Sequence, residues 1–289
     1  MTDLQRHLEQ FQWGRLPFDL FALEKWNSSS AEDDEAQRTR LAFEYVNMGC
    51  LGRSVYYGAI QEKRFANPTQ SQIDNILRPW QTDHQRMLSL FNNSFVWLRT
   101  CYKPGSDDLH VKLLSSLAPR DLAEVVGSSD NVSYVLDDSS LYDYGSDWLR
   151  IFVRIPELPQ GYGPRGESAV TGYHKAIREA QVEAIREFGE DEIEDLEEPD
   201  YTDMQSRCVT NFFFVEDEES LHTGKVLIVW LDECGRTIRQ CRILPADASD
   251  VVGIQYSPGL FECLPQWLDG EVGAAYLTGG ICGPPYAPD

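Results

Sequence analysis

Two β-rich runs, VLIVWL at 226–231 and TIRQCRI at 237–243, flank DECG, a short segment that contains a glycine. Runs of this kind joined by a Gly-containing turn read as an antiparallel hairpin. The chain around the hairpin lacks the regular strand–helix alternation of a doubly wound sheet. The expected class is therefore α+β: a helical, bundle-like N-terminal part, then a mostly antiparallel sheet with one long helix packed on it. The expected division gives a helical part over 1–127 and an α+β part over 128–289, with a shared core left open.

Helical periodicity dominates the first part. Leu4, Leu8 and Phe11 share a face before Gly14 and Pro17 interrupt it. Leu41, Tyr45, Met48, Leu51, Val55 and Tyr56 then recur at three- and four-residue steps. This is an amphipathic stripe, and Gly49 and Gly52 within it mark either a close helix contact or a local break. Pro68 suits the first turn of a helix in NPTQSQIDNIL, and another helix is expected across DHQRMLSLFNNSFVWLRTCY. DDLHVKLLSSL and PRDLAEVVG read as short helices. Strands are expected in NVSYVLDD, DWLRIFVRI and RCVTNFFFV. Before the last of these, a long helix over 167–189 puts Val170, Tyr173, Ile177, Ala180, Ala184 and Phe188 on one face.

Charge narrows the function. The formal net charge is −22 and hydrophobic residues make up 42% of the chain, so a core is affordable but phosphate backbones are repelled. Direct nucleic-acid binding is not expected. The seven cysteines include no C-x-x-C pair, and the N-terminus carries charge where a signal peptide needs an apolar run. No apolar run approaches the ~18–20 residues of a membrane span. The expected setting is cytoplasmic or nuclear, without a membrane partner.

The segment 190–203, EDEIEDLEEPDYTD, has no Lys or Arg. Glu190, Asp191, Glu192, Glu194, Asp195, Glu197 and Glu198 are candidates for gripping a basic protein. A solvated acidic linker is the alternative. EDEE at 216–219 is a second, smaller cluster.

For small-molecule chemistry, GYGPRG at 161–166 matches G-x-G-x-x-G. Such a loop turns tightly, approaches a phosphate and offers N–H groups from the next helix. The context departs from the dinucleotide fingerprint. Pro156, Glu157, Leu158 and Pro159 precede the loop, Glu167 follows it, and no acid-ended strand comes at the expected distance. A mobile connector, or a flap over a pocket, remains. Gly161, Gly163, Arg165 and Gly166 are its candidate ligand-binding residues. LDDSSLYDYGSDW adds Asp138, Asp143 and Asp147, interleaved with Tyr142, Tyr144 and Trp148, a set suited to sugar hydroxyls or hard cations. Its spacing fails the EF-hand template, and a polar connector is the plainer account. Of five histidines none has metal-helix spacing; His174 is the candidate acid–base residue. No metal or cofactor is expected. Cys50 suits a buried helix face, whereas Cys234 in the turn has the chance of exposure and reactivity.

Two functions fit these features. One is a binding or regulatory protein that docks on a basic partner through its acidic surface. The other is a small-molecule enzyme or binding protein, with loop 161–166 as a flap and Arg165, His174 and the 138–147 loop near the pocket.

Overall fold

The computed structural model describes residues 13–91, 96–117, 134–190, 200–254, 260–263 and 270–277. It is an α+β fold on a six-stranded mixed sheet, with strand order β2-β1-β3-β4-β5-β6. The strands are β1 (Trp97–Arg99), β2 (Val135–Leu136), β3 (Asn211–Glu216), β4 (Val226–Leu231), β5 (Thr237–Ile243) and β6 (Glu271–Val272). β2, β1 and β3 are parallel neighbours, and β3, β4, β5 and β6 pair antiparallel.

The hairpin is β4 and β5, closed by 232–236. Leu231 faces Thr237, and Gly235 takes φ +73 at the turn. β3 and β4 are buried along their whole length, which explains their near-continuous apolar sequence. Residues alternate between two cores. Phe212, Phe214, Ile228 and Trp230 meet Ile177, Ala180 and Met204 on one face. Phe213, Val215, Val229 and Leu231 meet Tyr142, Ile151 and Phe152 on the other.

The N-terminal helices are α1 (Pro17–Lys25), α2 (Asp34–Asn47) and α3 (Gly49–Gln61), followed by α4 (Gln70–Gln72), which runs into a π turn (Ile73–Leu77), and α5 (Asp83–Phe91). Local chemistry sets their starts. Asp33 accepts from the Ala36 N–H at the start of α2, and Thr69 with Gln72 makes a capping box for α4. Asp19 accepts from three successive backbone N–H groups, of Gly14, Arg15 and Leu16, and forms a buried ion pair with Arg86. Phe18, Phe21, Tyr45, Leu77 and Trp80 form a third core here. Downstream lie α6 (Ser106–Ser115), α7 (Ser139–Tyr142), α8 (Ile151–Arg154), the long α9 (Glu167–Glu190), α10 (Thr202–Cys208) and α11 (Glu218–Thr223). No helix among the described residues is long and apolar enough to cross a membrane.

Four expectations are corrected. The helix expected across 83–102 ends as α5, and Trp97–Arg99 is a strand pairing with neighbours on both sides. Tertiary pairing overrides local propensity there. The strand expected in DWLRIFVRI is instead a 3-10 turn (Trp148–Arg150) leading into α8. Ile151, Phe152 and Ile155 are buried while Leu149 and Arg150 are exposed, so the helical period fits as well as the alternating one. The stripe through 41–56 breaks at Gly49, where φ is +62. Leu41 and Tyr45 stay buried, but the change of direction leaves Leu51 and Val55 exposed. Pro68 precedes the Thr69 cap instead of sitting in the first turn. The helices expected in the first residues and in PRDLAEVVG lie outside the described residues.

Loop 161–166 is tightly seated at its start. Gly161 has φ +36, and a Cβ on it would lie 2.3 Å from the Thr210 carbonyl oxygen. Tyr162 N–H donates to that same oxygen at 2.8 Å. Gly161→Ala is therefore expected to lose about 2–3 kcal/mol of unfolding free energy, while Gly166→Ala, with open space around it, changes little. Urea unfolding of both variants checks this, and equal midpoints would contradict it.

Candidate functional site

The three parallel strands end together. Arg99, Leu136 and Glu216 are their last residues, and loops 100–105, 137–147 and the start of α11 lie beyond them. From β1 the chain goes to β2 on one side, and from β3 to β4 on the other. A crevice outside carboxyl ends at such a divergence is where open sheets place ligands.

Beneath the loops is a buried polar layer. Glu216 accepts from the Trp97 indole N–H at 2.7 Å, and His110 Nδ1 lies 2.8 Å from the same carboxylate. His110 Nε2 is 3.4 Å from Asp137. The Arg99 guanidinium donates to Ser106 Oγ, Asp107, Asp137 and the Cys101 carbonyl. Every member has a partner, so the layer orients the loops. Glu216 is fully buried, which removes it from the acidic surface expected over 216–219.

Two grooves open above this layer. One, about 600 Å³, lies across the β1 and β3 ends and is lined by Lys103, Asp143, Asp217, Glu218 and His222 among others. Its acids are largely engaged: Lys103 pairs with Glu218, and Arg242 pairs with Asp217 and Glu219. The other, about 590 Å³, lies between α2 and segment 139–154, with Glu35, Asp143, Tyr144, Asp147, Arg150 and Arg154 along its walls. The structure thus brings Asp143 and Asp147 onto one groove. Asp138 instead caps α7 through the Ser140 N–H.

The remaining candidates sit at the other end of β3, roughly 17 Å away along the strand. Gly161 packs on Thr210 and Asn211, at the strand's amino end, and Gly163 also contacts Thr210. Arg165 donates to the Gly161 carbonyl and lies over the Tyr57 ring at 5.5 Å. Gly166 is in open space ahead of α9. His174 is buried on the inward face of α9, with Nε2 2.8 Å from Glu233 Oε1. Glu233 Oε2 accepts from the Cys50 N–H at 2.6 Å, and Arg53 donates to the Glu233 carbonyl at 2.6 Å. Burial pushes the Glu233 carboxyl up, but the His174 and Cys50 contacts outweigh it and hold the group below its usual range.

Cys50 is fully buried beside Gln160, and burial pushes its thiol up to about 12. Cys234 is likewise buried and pushed up to about 12, so its expected exposure in the turn is corrected. Its side chain turns inward toward the Asn47 carbonyl and Gly49. Neither is an activated thiolate. No cluster of three metal-ligating side chains occurs among the described residues. The side chain of Glu190, and Asp191, Glu192, Glu194, Asp195, Glu197 and Glu198, lie outside the described residues. Sequence reasoning missed Arg99, His110, Gln160 and Glu233, and read Glu216 as part of a surface cluster. The one visible signal is an acid directly after an apolar strand, as in FFFVE; the partners are more than 100 residues away for His110–Glu216.

Comparison with protein-family models, curated proteins and solved structures finds no match.

One buried acid carries a pH effect. Glu157 is fully enclosed, and no well-formed hydrogen bond meets its carboxylate, with the Ser89 hydroxyl nearby as a weak polar contact. Burial first, and the charge of Asp19 next, push it up to about 7 from 4.5, with Arg86 opposing. The folded state holds the proton more tightly, so the stability it gives is complete below about pH 4.5 and lost as pH rises through about 7. Relative to Glu157→Gln, the native chain is expected to lose about 3 kcal/mol between pH 4.5 and pH 8. Denaturant titrations of both proteins across that range check it, and parallel stability curves would contradict it.

Proposed function

We propose that the protein is a docking protein that receives a basic, amphipathic segment of another protein on the C-terminal half of α9 and the acidic sequence after it. The observation that carries this reading is the way α9 leaves the body. Its inward face, Val170, His174, Ile177, Ala180 and Ala184, is buried. Beyond Ala184 all residues from 185 to 189 are exposed, yet Val182 is 65%, Ile185 51% and Phe188 37% exposed. Apolar side chains grouped on a projecting helix mark an interaction site more often than solitary ones do.

Charge supplies the partner's chemistry. Glu179, Glu183 and Glu187 are exposed on the same helix, and 190–203 adds nine acids and no base. A complementary partner offers Lys or Arg around an apolar stripe, the composition of helices that dock in grooves. The same charge opposes nucleic-acid backbones. The free Cys50, Cys101, Cys208, Cys234 and Cys241 fit a reducing compartment, cytoplasm or nucleus. The side chains with most chemical potential support the reading too: His110, His174, Glu216, Glu233 and Cys50 are spent in buried networks.

The test uses a fluorescein-labelled amphipathic Leu/Lys helix peptide and a scrambled peptide of the same composition. Fluorescence anisotropy is expected to show tighter binding of the amphipathic form, weakening steeply from about 50 to 300 mM salt. The double variant Ile185→Ser/Phe188→Ser and neutralisation of Glu190–Glu198 to Gln are each expected to cost about tenfold or more in affinity. Equal binding of both peptides, or indifference to the variants, would contradict the reading.

A further inference from the structure

The groove between α2 and segment 139–154 has an unusual charge arrangement. Glu35 lines it from α2, Asp143 and Asp147 from the loop, and Arg150 and Arg154 from the helical turn opposite. None of these five is ion-paired with another described residue. Other exposed or half-buried arginines close on carboxylates: Arg40 holds Glu32 and Glu44, Arg78 holds Asp74, and Arg242 holds Asp217, although Arg53 and Arg165 take backbone carbonyls instead. Here acids and arginines line one cavity without closing on each other. Arg154 reaches the Pro79 and Trp80 carbonyls, at 3.4 Å each, and the Tyr144 side chain, none of which carries a full negative charge. Arg150 lies over the Tyr144 ring at 5.3 Å, which holds its guanidinium along the wall.

Arg150 and Arg154 are four residues apart on one helical turn and so present neighbouring forks, suited to an anionic oxygen pair. The three acids suit an ammonium. Phe43, Leu141 and Val153 add apolar lining to the same groove for an aliphatic stem. About 590 Å³ falls in the usual range for small-ligand sites, roughly 300–1,000 Å³. We propose that this groove binds a short zwitterion of amino-acid to tripeptide size. Its carboxylate lies at Arg150 and Arg154, and its ammonium lies among Glu35, Asp143 and Asp147. A ligand with both charges completes both walls at once, which a simple cation or anion does not.

The site is separate from the projecting end of α9, so its test stands apart from the docking reading. Calorimetric titration compares three probes: the dipeptide Lys-Glu, 1,5-diaminopentane and glutarate. The dipeptide is expected to bind about tenfold tighter than either probe, the diamine carrying two positive charges only and glutarate two negative charges only. Asp143→Asn/Asp147→Asn is expected to weaken the dipeptide and the diamine while sparing glutarate. Arg150→Gln is expected to weaken the dipeptide and glutarate while sparing the diamine. These are exposed positions, and a thermal melt of each variant reports that the fold is kept. Diamine binding as tight as the dipeptide's would reduce the groove to an acidic patch and overturn the proposal. No dipeptide binding at about 10 mM, or binding that the variants leave unchanged, would also overturn it.

Discussion

Glu233 is the residue on which the arrangement of the two halves depends. It sits in the turn of the β4–β5 hairpin, fully buried. One carboxylate oxygen meets His174 of α9, the other takes the N–H of Cys50 at the start of α3, and its carbonyl takes the Arg53 guanidinium. A buried carboxylate costs several kcal/mol unless each lone pair is used. Here the N-terminal end of a helix and a histidine use them, and the helix dipole adds to the attraction. Gly49 is part of the same joint: a Cβ there would lie 3.1 Å from the Glu233 carboxyl carbon, so the approach favours glycine. The broken stripe at Gly49 and the exposure of Leu51 and Val55 follow from fitting α3 onto that carboxylate.

The sheet therefore has two unlike ends. At the hairpin turn, loop 161–163, Gln160, Cys50, His174 and Glu233 are locked together. At the other, buried Arg99, His110 and Glu216, tied to the exposed Asp137, form a layer that supports exposed loops and two open grooves. Polar groups that are all satisfied internally specify structure. Charged side chains on a groove wall that have no ion-pair partner among the described residues, as Asp147 and Arg150 have none, keep their capacity for an ionic ligand. The projecting end of α9 is a third surface, and its chemistry is apolar and acidic.

The elements whose periodicity stands alone were legible in the sequence. The DECG hairpin, the long helix from Glu167 and the buried apolar strand at 211–216 carry unmistakable spacing. Trp97–Arg99 was not legible, because three residues have no period and their strand character comes from pairing with residues at 135–136 and 214–216. Segment 148–154 satisfied two periods at once. In GYGPRG a packing reason for one glycine lies outside the motif: the Thr210 carbonyl is 2.3 Å from where a Gly161 Cβ would be, a contact that the spacing does not carry. Of the candidate ligand residues, Asp143 and Asp147 meet on one groove, whereas His174 acquires its partner from position 233, 59 residues on, which no local pattern announces.

The most direct test of this account is a double-mutant cycle across the joint. Unfolding free energies are measured for the native chain, His174→Gln, Glu233→Gln and the double variant at neutral pH. If Glu233 is the tie between α9 and the hairpin turn, the coupling energy is about 2 kcal/mol or more, because each single variant leaves its buried partner short of a charge-assisted bond. A coupling below about 0.5 kcal/mol would mean that the two residues contribute independently, and the tie would not be what holds these elements together.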